Sequence, residues 1–255
     1  MRAVMAIARN TFREALRDRV LYLFLGFALL LLACSKLFGL LTVGDEGKVI
    51  KDFGLAGIQF FTMLIAVMMS VLLISREVDS RTVYNILAKP VRRWQFLIGK
   101  YLGLLATVAL NLALMTVVLV AVTLVYLGEL DAGLLFAAAM TLLEMALLTA
   151  FATLFAVLTR PMLGTVFTLA VFVIGHVSHD IWQLTRHVDS GLVRPLVAAL
   201  YAVLPNLERF NFKSAVVHDL EVSSTEVALA VGYGLAYTAM VLVLACARFR
   251  SKDLM

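Results

Sequence analysis

Six long apolar runs, separated by polar stretches, set the pattern of this chain. They cover 20–41, 53–75, 98–127, 134–158, 162–182 and 227–247. A helix needs roughly 20 apolar residues to cross a bilayer, so the pattern predicts six transmembrane helices. Residues 1–19 are too polar to span. Read as a helix, Val4, Ala8, Thr11, Phe12 and Ala15 share one side, and Arg2, Arg9, Arg13 and Arg17 share another. Such a helix suits a lipid headgroup surface. Between the second and third runs, 75–100 carries Arg76, Arg81, Lys89, Arg92, Arg93 and Lys100 against only Glu77 and Asp79. Helical spacing puts Glu77, Arg81, Asn85 and Lys89 on one polar stripe. Pro90 then ends or kinks that helix, because it lacks an N–H and pushes Lys89 out of the α region. A second helical run follows. Residues 183–226 form a longer polar region whose apolar patch, 192–204, is too short to span. They read as one or two helices lying on the membrane surface, and 42–52 reads as a short polar loop.

Composition agrees. The chain is 62% hydrophobic and 15% charged, with mean hydropathy +0.97. A soluble domain is about half apolar and a quarter charged, so the excess indicates spans rather than a larger core. The net charge of +5 could suggest a nucleic-acid partner. In a membrane protein the simpler reading is that Lys and Arg gather on the cytoplasmic side. With the N-terminus inside, the segments 1–19, 75–100, 159–162 and 248–255 hold fifteen of the 22 Lys and Arg. The expected product is an all-α membrane protein of one domain, 1–255, with six spans and both termini cytoplasmic. An interfacial helix lies at 1–19, a cytoplasmic helix lies between spans two and three, and 183–226 is extracytoplasmic. No nucleic-acid partner is expected. Cys34 and Cys246 both sit in apolar runs, so no disulfide framework is indicated. Leu31-Leu32-Ala33-Cys34 resembles a lipoprotein cleavage box, but the apolar run continues past Cys34 and a polytopic chain follows.

The order Glu77, Arg81-Thr82, Leu87, Pro90, Arg93, Phe96, Gly99-Lys100 resembles the cytoplasmic loop of type-2 ABC transporter permeases, the exporter class. Arg81 stands where that family usually has Gly, which fits a continuous helix better than a tight turn. Leu204-Pro205-Asn206-Leu207-Glu208 is similar to the branch associated with multicopper-enzyme maturation. The resemblance implies the membrane-spanning permease subunit of an ATP-binding-cassette exporter in a bacterial cytoplasmic (inner) membrane. Such subunits form a homodimer or pair with a second permease, and each docks a soluble ABC ATPase. Region 76–97 would be the coupling region. Glu77, Arg81, Thr82, Asn85, Lys89, Pro90, Arg92, Arg93, Gly99 and Lys100 would take up the motion. The lipid bilayer is a further partner, and 183–226 leaves room for an extracytoplasmic one. The chain has no Gly-x-x-x-x-Gly-Lys-Ser/Thr phosphate loop. It is therefore expected to bind no cofactor itself, with ATP and Mg held by the partner ATPase.

Other residues carry candidate chemistry. Glu144 sits mid-span, where a carboxyl group is costly unless it faces the bundle interior or a cavity. It can gate or bind substrate; equally, it can bond a neighbouring helix through a partner such as Asn111, or stay protonated. His176 and His179, with Asp180, are weak metal candidates. Such residues at a membrane boundary are more often hydrogen-bonders, and no metal is expected. Trp182 reads as an interface anchor. Met63, Met68, Met69, Met140 and Met145 read as packing residues. An intramembrane protease would need a placed nucleophile and base or a His-Glu-x-x-His motif, and neither is present. An ATP-independent scaffold or assembly factor is the other alternative. The apolar lining suggests an amphipathic or lipid-linked substrate, but a closed bundle would look the same, and small ions, peptides, glycolipids and sulfur-containing species are equally open.

Overall fold

The computed structural model describes residues 2–40, 45–79, 92–128, 130–185 and 204–251, and these are helical throughout apart from short connections. Helix α1 (Arg2–Ala15) joins α2 (Arg19–Leu40) at a bend of 63°. Asp18 makes the joint: its Oδ1 accepts the Val20 N–H at 3.0 Å, an N-cap on the first turn of α2. Then follow α3 (Glu46–Asp79), α4 (Arg93–Leu127), α5 (Ala132–Leu158) and α6 (Pro161–Thr185). A 3-10 turn (Leu207–Phe210), the short α7 (Lys213–Val217) and the long α8 (Ser224–Ser251) complete the order.

By length and composition, α3, α4, α5 and α8 can each cross a membrane, and the bent α1–α2 pair makes a fifth candidate. The stretch Pro161–Val177 of α6 is apolar but shorter. Four or five spans are thus apparent among the described residues, against the six expected.

Helices α3 and α5 form the centre. On α3, Ile65, Ala66, Val67 and Ile74 have no exposed surface; on α5, Leu147, Leu148, Ala150 and Ala152 have none. A helix apolar and buried on every side belongs inside a bundle. Thr149 and Thr153 share this interior, and the Thr153 hydroxyl satisfies itself by donating to the Thr149 carbonyl at 2.8 Å. Helix α8 is peripheral, with Leu229, Leu235, Met240, Val243 and Leu244 exposed.

Two expectations change here. The stretch 42–52 was expected to be a polar loop, but α3 already begins at Glu46. The reason is a charge pair: Lys51 Nζ lies 2.6 Å from Asp131 Oδ2, while Asp131 also caps α5 by accepting the Gly133 N–H at 2.7 Å. With its charge matched, Lys51 can sit nearly buried inside a helix. The second change concerns 204–217, which was expected on the membrane surface. Instead, Leu207 and Phe210 are buried against Leu147, Phe151 and Val171, and Val216 and Val217 join the main core. Burying a large apolar side chain is worth about 1.5–3 kcal/mol, which favours insertion over lying flat. Gly175 on α6 permits the approach: a Cβ there would sit 2.7 Å from Leu207 Cγ and 2.9 Å from the Pro205 carbonyl oxygen.

Candidate functional site

The first site surrounds the basic stretch between α3 and α4. Helix α3 runs unbroken through Ser75 to Asp79, so Glu77 lies on its last turn rather than opening a separate helix. Arg81, Thr82, Asn85, Lys89 and Pro90 lie outside the described residues. On the far side, Arg92 precedes α4, and its backbone N–H donates to Gln95 Oε1 at 3.0 Å. From there the basic residues make specific ties. Arg93 Nη1 donates to the carbonyls of Arg250 at 3.1 Å and Phe249 at 3.5 Å, at the C-terminal turn of α8. A guanidinium suits carbonyls in the last turn of a helix. Phe96 stacks on Phe249 with ring centroids 5.9 Å apart, reinforcing the same junction.

Gly99 and Lys100 seat α1. A Cβ at Gly99 would lie 2.8 Å from Ile7 Cβ, and one at Gly103 would lie 2.5 Å from the Ala8 carbonyl oxygen. Only glycine lets the two backbones approach this closely. Lys100 Nζ then meets Glu14 Oε2 at 3.2 Å, with the Lys100 side chain 2% exposed and Glu14 40%. The apolar face of α1 thus covers α4, with Ala8, Thr11 and Ala15 buried, while Arg2, Arg9, Arg13 and Arg17 stay exposed. That α4 covers part of the apolar face of α1 was not legible in the sequence. On the near side, Arg76 Nη1 lies 3.4 Å from Asp18 Oδ2, the cap of α2. Both flanks of 80–91 are therefore fastened to other elements.

The second site is a buried polar junction. Glu144 on α5 is 1% exposed and Gln59 on α3 is 7% exposed. Gln59 Nε2 donates to both Glu144 oxygens, at 3.0 and 2.9 Å, and lies 3.1 Å from His176 Nε2. His176 Nε2 is 3.4 Å from Glu144 Oε1, and its Nδ1 is 3.0 Å from the Phe172 carbonyl. Lys213 of α7 completes the group by donating to Gln59 Oε1. Burial holds the Lys213 ammonium below the ordinary lysine range, against the opposing pull of Glu144, Glu208 and Asp52.

Glu144 thus bonds a neighbouring helix, as one reading allowed, but the partner is Gln59. Asn111 instead donates to the Thr107 carbonyl of its own helix at 2.8 Å. The reason is reach: Gln59 and Glu144 lie on adjacent central helices, while the Asn111 side chain turns back along α4. His176 joins Glu144 and Gln59, and His179 lies further along α6. Among the described residues no group of three or more His, Cys, Asp or Glu could hold a metal. The methionines Met63, Met69, Met140 and Met145 are buried among apolar side chains. Sequence reasoning missed Gln59, Lys213 and Glu14. Gln59 carried a signal, an amide inside an apolar run. Lys213 and Glu14 carried none, because each gains its partner from a distant helix.

A helical chain with four or five apolar helices of spanning length, and with polar groups joined across its interior, is a multi-pass membrane protein. Residues 5–254 match the model of the family described as ABC-2 family transporter protein. The chain belongs to that family, and is a membrane subunit of an ABC transporter rather than an enzyme. Membership implies association with an ABC ATPase subunit and with the membrane. No curated protein matches the chain.

Proposed function

We propose that this chain is the force-receiving permease of an exporter in a bacterial cytoplasmic membrane. It works as a homodimer or beside a second permease, with six spans and both termini cytoplasmic. A soluble ATPase docks on 76–97, holds ATP and Mg, and drives the movement of an amphipathic or lipid-linked substrate. Leu204-Pro205-Asn206-Leu207-Glu208 is similar to the branch associated with multicopper-enzyme maturation. The observation that carries the reading is the fastening of both flanks of 80–91. Arg76 meets the cap of α2, Arg93 meets the end of α8, and Lys100 meets α1. A push on the segment between them would reach three other helices directly. Arg81, Asn85 and Lys89 would form the docking stripe and Pro90 the joint.

The test is co-purification and coupling. Intact protein in mild detergent should bring down an ABC ATPase. Charge reversal at Arg81 together with Arg92 should abolish stimulation of that ATPase while expression is unchanged. Unchanged stimulation rules out this docking face, and the absence of any ATPase from the pull-down would favour a scaffold.

A further inference from the structure

Where the start of α4 meets the end of α8, a cavity of about 780 Å³ opens beside the junction of Arg93 with the last turn of α8. Arg92, Arg93 and Arg250 line it, and among the described residues no acidic side chain does. Trp94, Val243 and Ala247 supply its apolar part. Arg92 and Arg250 are exposed, one just before α4 and one on α8. Arg93 fixes the spacing of the two walls through its bonds to the Phe249 and Arg250 carbonyls. Three guanidinium charges gathered without a carboxylate favour an anion among them.

The level of the cavity follows from its helices. Both α4 and α8 are long and apolar enough to span, and the cavity sits at their ends. That is the level of lipid headgroups, where a Trp ring rests and basic residues meet phosphate. Trp94 is 48% exposed there. A soluble anion would use the charges alone. Here the exposed apolar face of α8 continues from Val243 and Leu244 to Met240, a surface on which a hydrocarbon chain can lie. Charge and apolar surface together fit an anion that carries an acyl tail.

We propose that this cavity seats the headgroup of an anionic phospholipid such as phosphatidylglycerol. Arg92 and Arg250 take the phosphodiester, which a guanidinium fork binds through paired N–H groups. Trp94 packs on the glycerol, and the acyl chains run past Val243 and Ala247 along the outer face of α8. The cavity has the size of a small-molecule site, enough for a headgroup with its glycerol. A zwitterionic headgroup brings a cation next to three arginines and is disfavoured. Bound there, the lipid bridges the start of α4 and the end of α8. The inference goes beyond the transport reading and needs no ATPase.

The test uses the intact permease alone, reconstituted in phosphatidylcholine vesicles. The sequence holds two tryptophans, so Trp182→Phe leaves Trp94 as the sole one. Lipids brominated on their acyl chains quench its fluorescence when they lie beside it. Brominated phosphatidylglycerol and brominated phosphatidylcholine are compared at the same mole fraction. Phosphatidylglycerol should take the position beside Trp94 with a preference of about fivefold. Arg92→Gln together with Arg250→Gln should abolish that preference. Arg9→Gln together with Arg13→Gln removes the same charge from exposed positions on α1 and should leave it intact. Ala247→Phe fills the cavity without altering charge and should also abolish it. Added glycerol phosphate, the soluble headgroup, should not displace the lipid. Displacement would mean that a soluble phosphate ester is the occupant and would sink the lipid assignment. Equal quenching by both lipids, the same loss from the α1 substitutions, or an undiminished preference in Ala247→Phe would overturn the proposal.

Discussion

At the scale of single residues, close approach and charge matching decide what each position tolerates. Gly103 is the clearest case, because its missing side chain is where the Ala8 carbonyl of α1 lies. Gly103→Leu should push α1 off α4 and lower stability by about 1–3 kcal/mol, the usual cost of overpacking. Thermal unfolding in detergent checks this, and an unchanged midpoint would mean that α1 is not seated there. Lys213 makes a second case. Its ammonium titrates lower in the folded protein than the unfolded value of 10.5, so the folded state releases its proton first as pH rises. Stability from this group is therefore lowest when pH is well below the folded value. It rises as pH climbs toward 10.5. The slope of stability against pH over the alkaline range should flatten in Lys213→Met, and a slope identical to the parent would show that Lys213 is not desolvated.

At the scale of elements, the notable feature is that the ends of helices hold one another. Glu14 and Lys100 join α1 to α4, and Arg93 joins α4 to the last turn of α8. A double-mutant cycle isolates the first tie. Glu14→Gln should cost about 1 kcal/mol, since it removes a charged partner of a buried cation. Adding Lys100→Met should recover part of that loss, and strictly additive effects would show that the pair is uncoupled. Arg93→Ala should speed amide hydrogen exchange in the last turn of α8 several-fold, while the centre of α8 stays protected. These ties were invisible along the chain. Periodicity reports which face of a helix is apolar; it does not report which helix covers it. The sequence read α1 as an amphipathic helix at a lipid surface, while Gly99 and Lys100, read as the end of a loop motif, form its seat on α4.

At the scale of the whole molecule, the pattern of apolar runs leads to a multi-pass helical protein, and membership of the ABC-2 transporter family gives that protein its role. The proposed six-span arrangement with both termini inside makes a direct prediction. Single cysteines introduced at Arg9 and Asp219, in a background without Cys34 and Cys246, should label from opposite sides of sealed vesicles. Labelling from one side would require an odd number of crossings to be lost. The exposed apolar face of α8 is ordinary for a helix that meets lipid, so it carries no such argument by itself.

The sequence by itself determined the class of the protein. Runs of about 20 apolar residues admit few structures other than membrane helices, because backbone groups in lipid must bond within their own segment. The basic stretch at 75–100 and its motif were equally local, since residue order alone carries them. What tertiary structure decided was partnership. Whether Glu144 meets Asn111 or Gln59 depends on which helices are neighbours, and that follows from packing around α3 and α5. Whether 204–217 lies on a surface or inside the bundle depends on a gap between other helices, opened in part by Gly175. Lys213 reaches Gln59 across 154 positions of chain. No window of sequence contains both, so only the fold could bring them together.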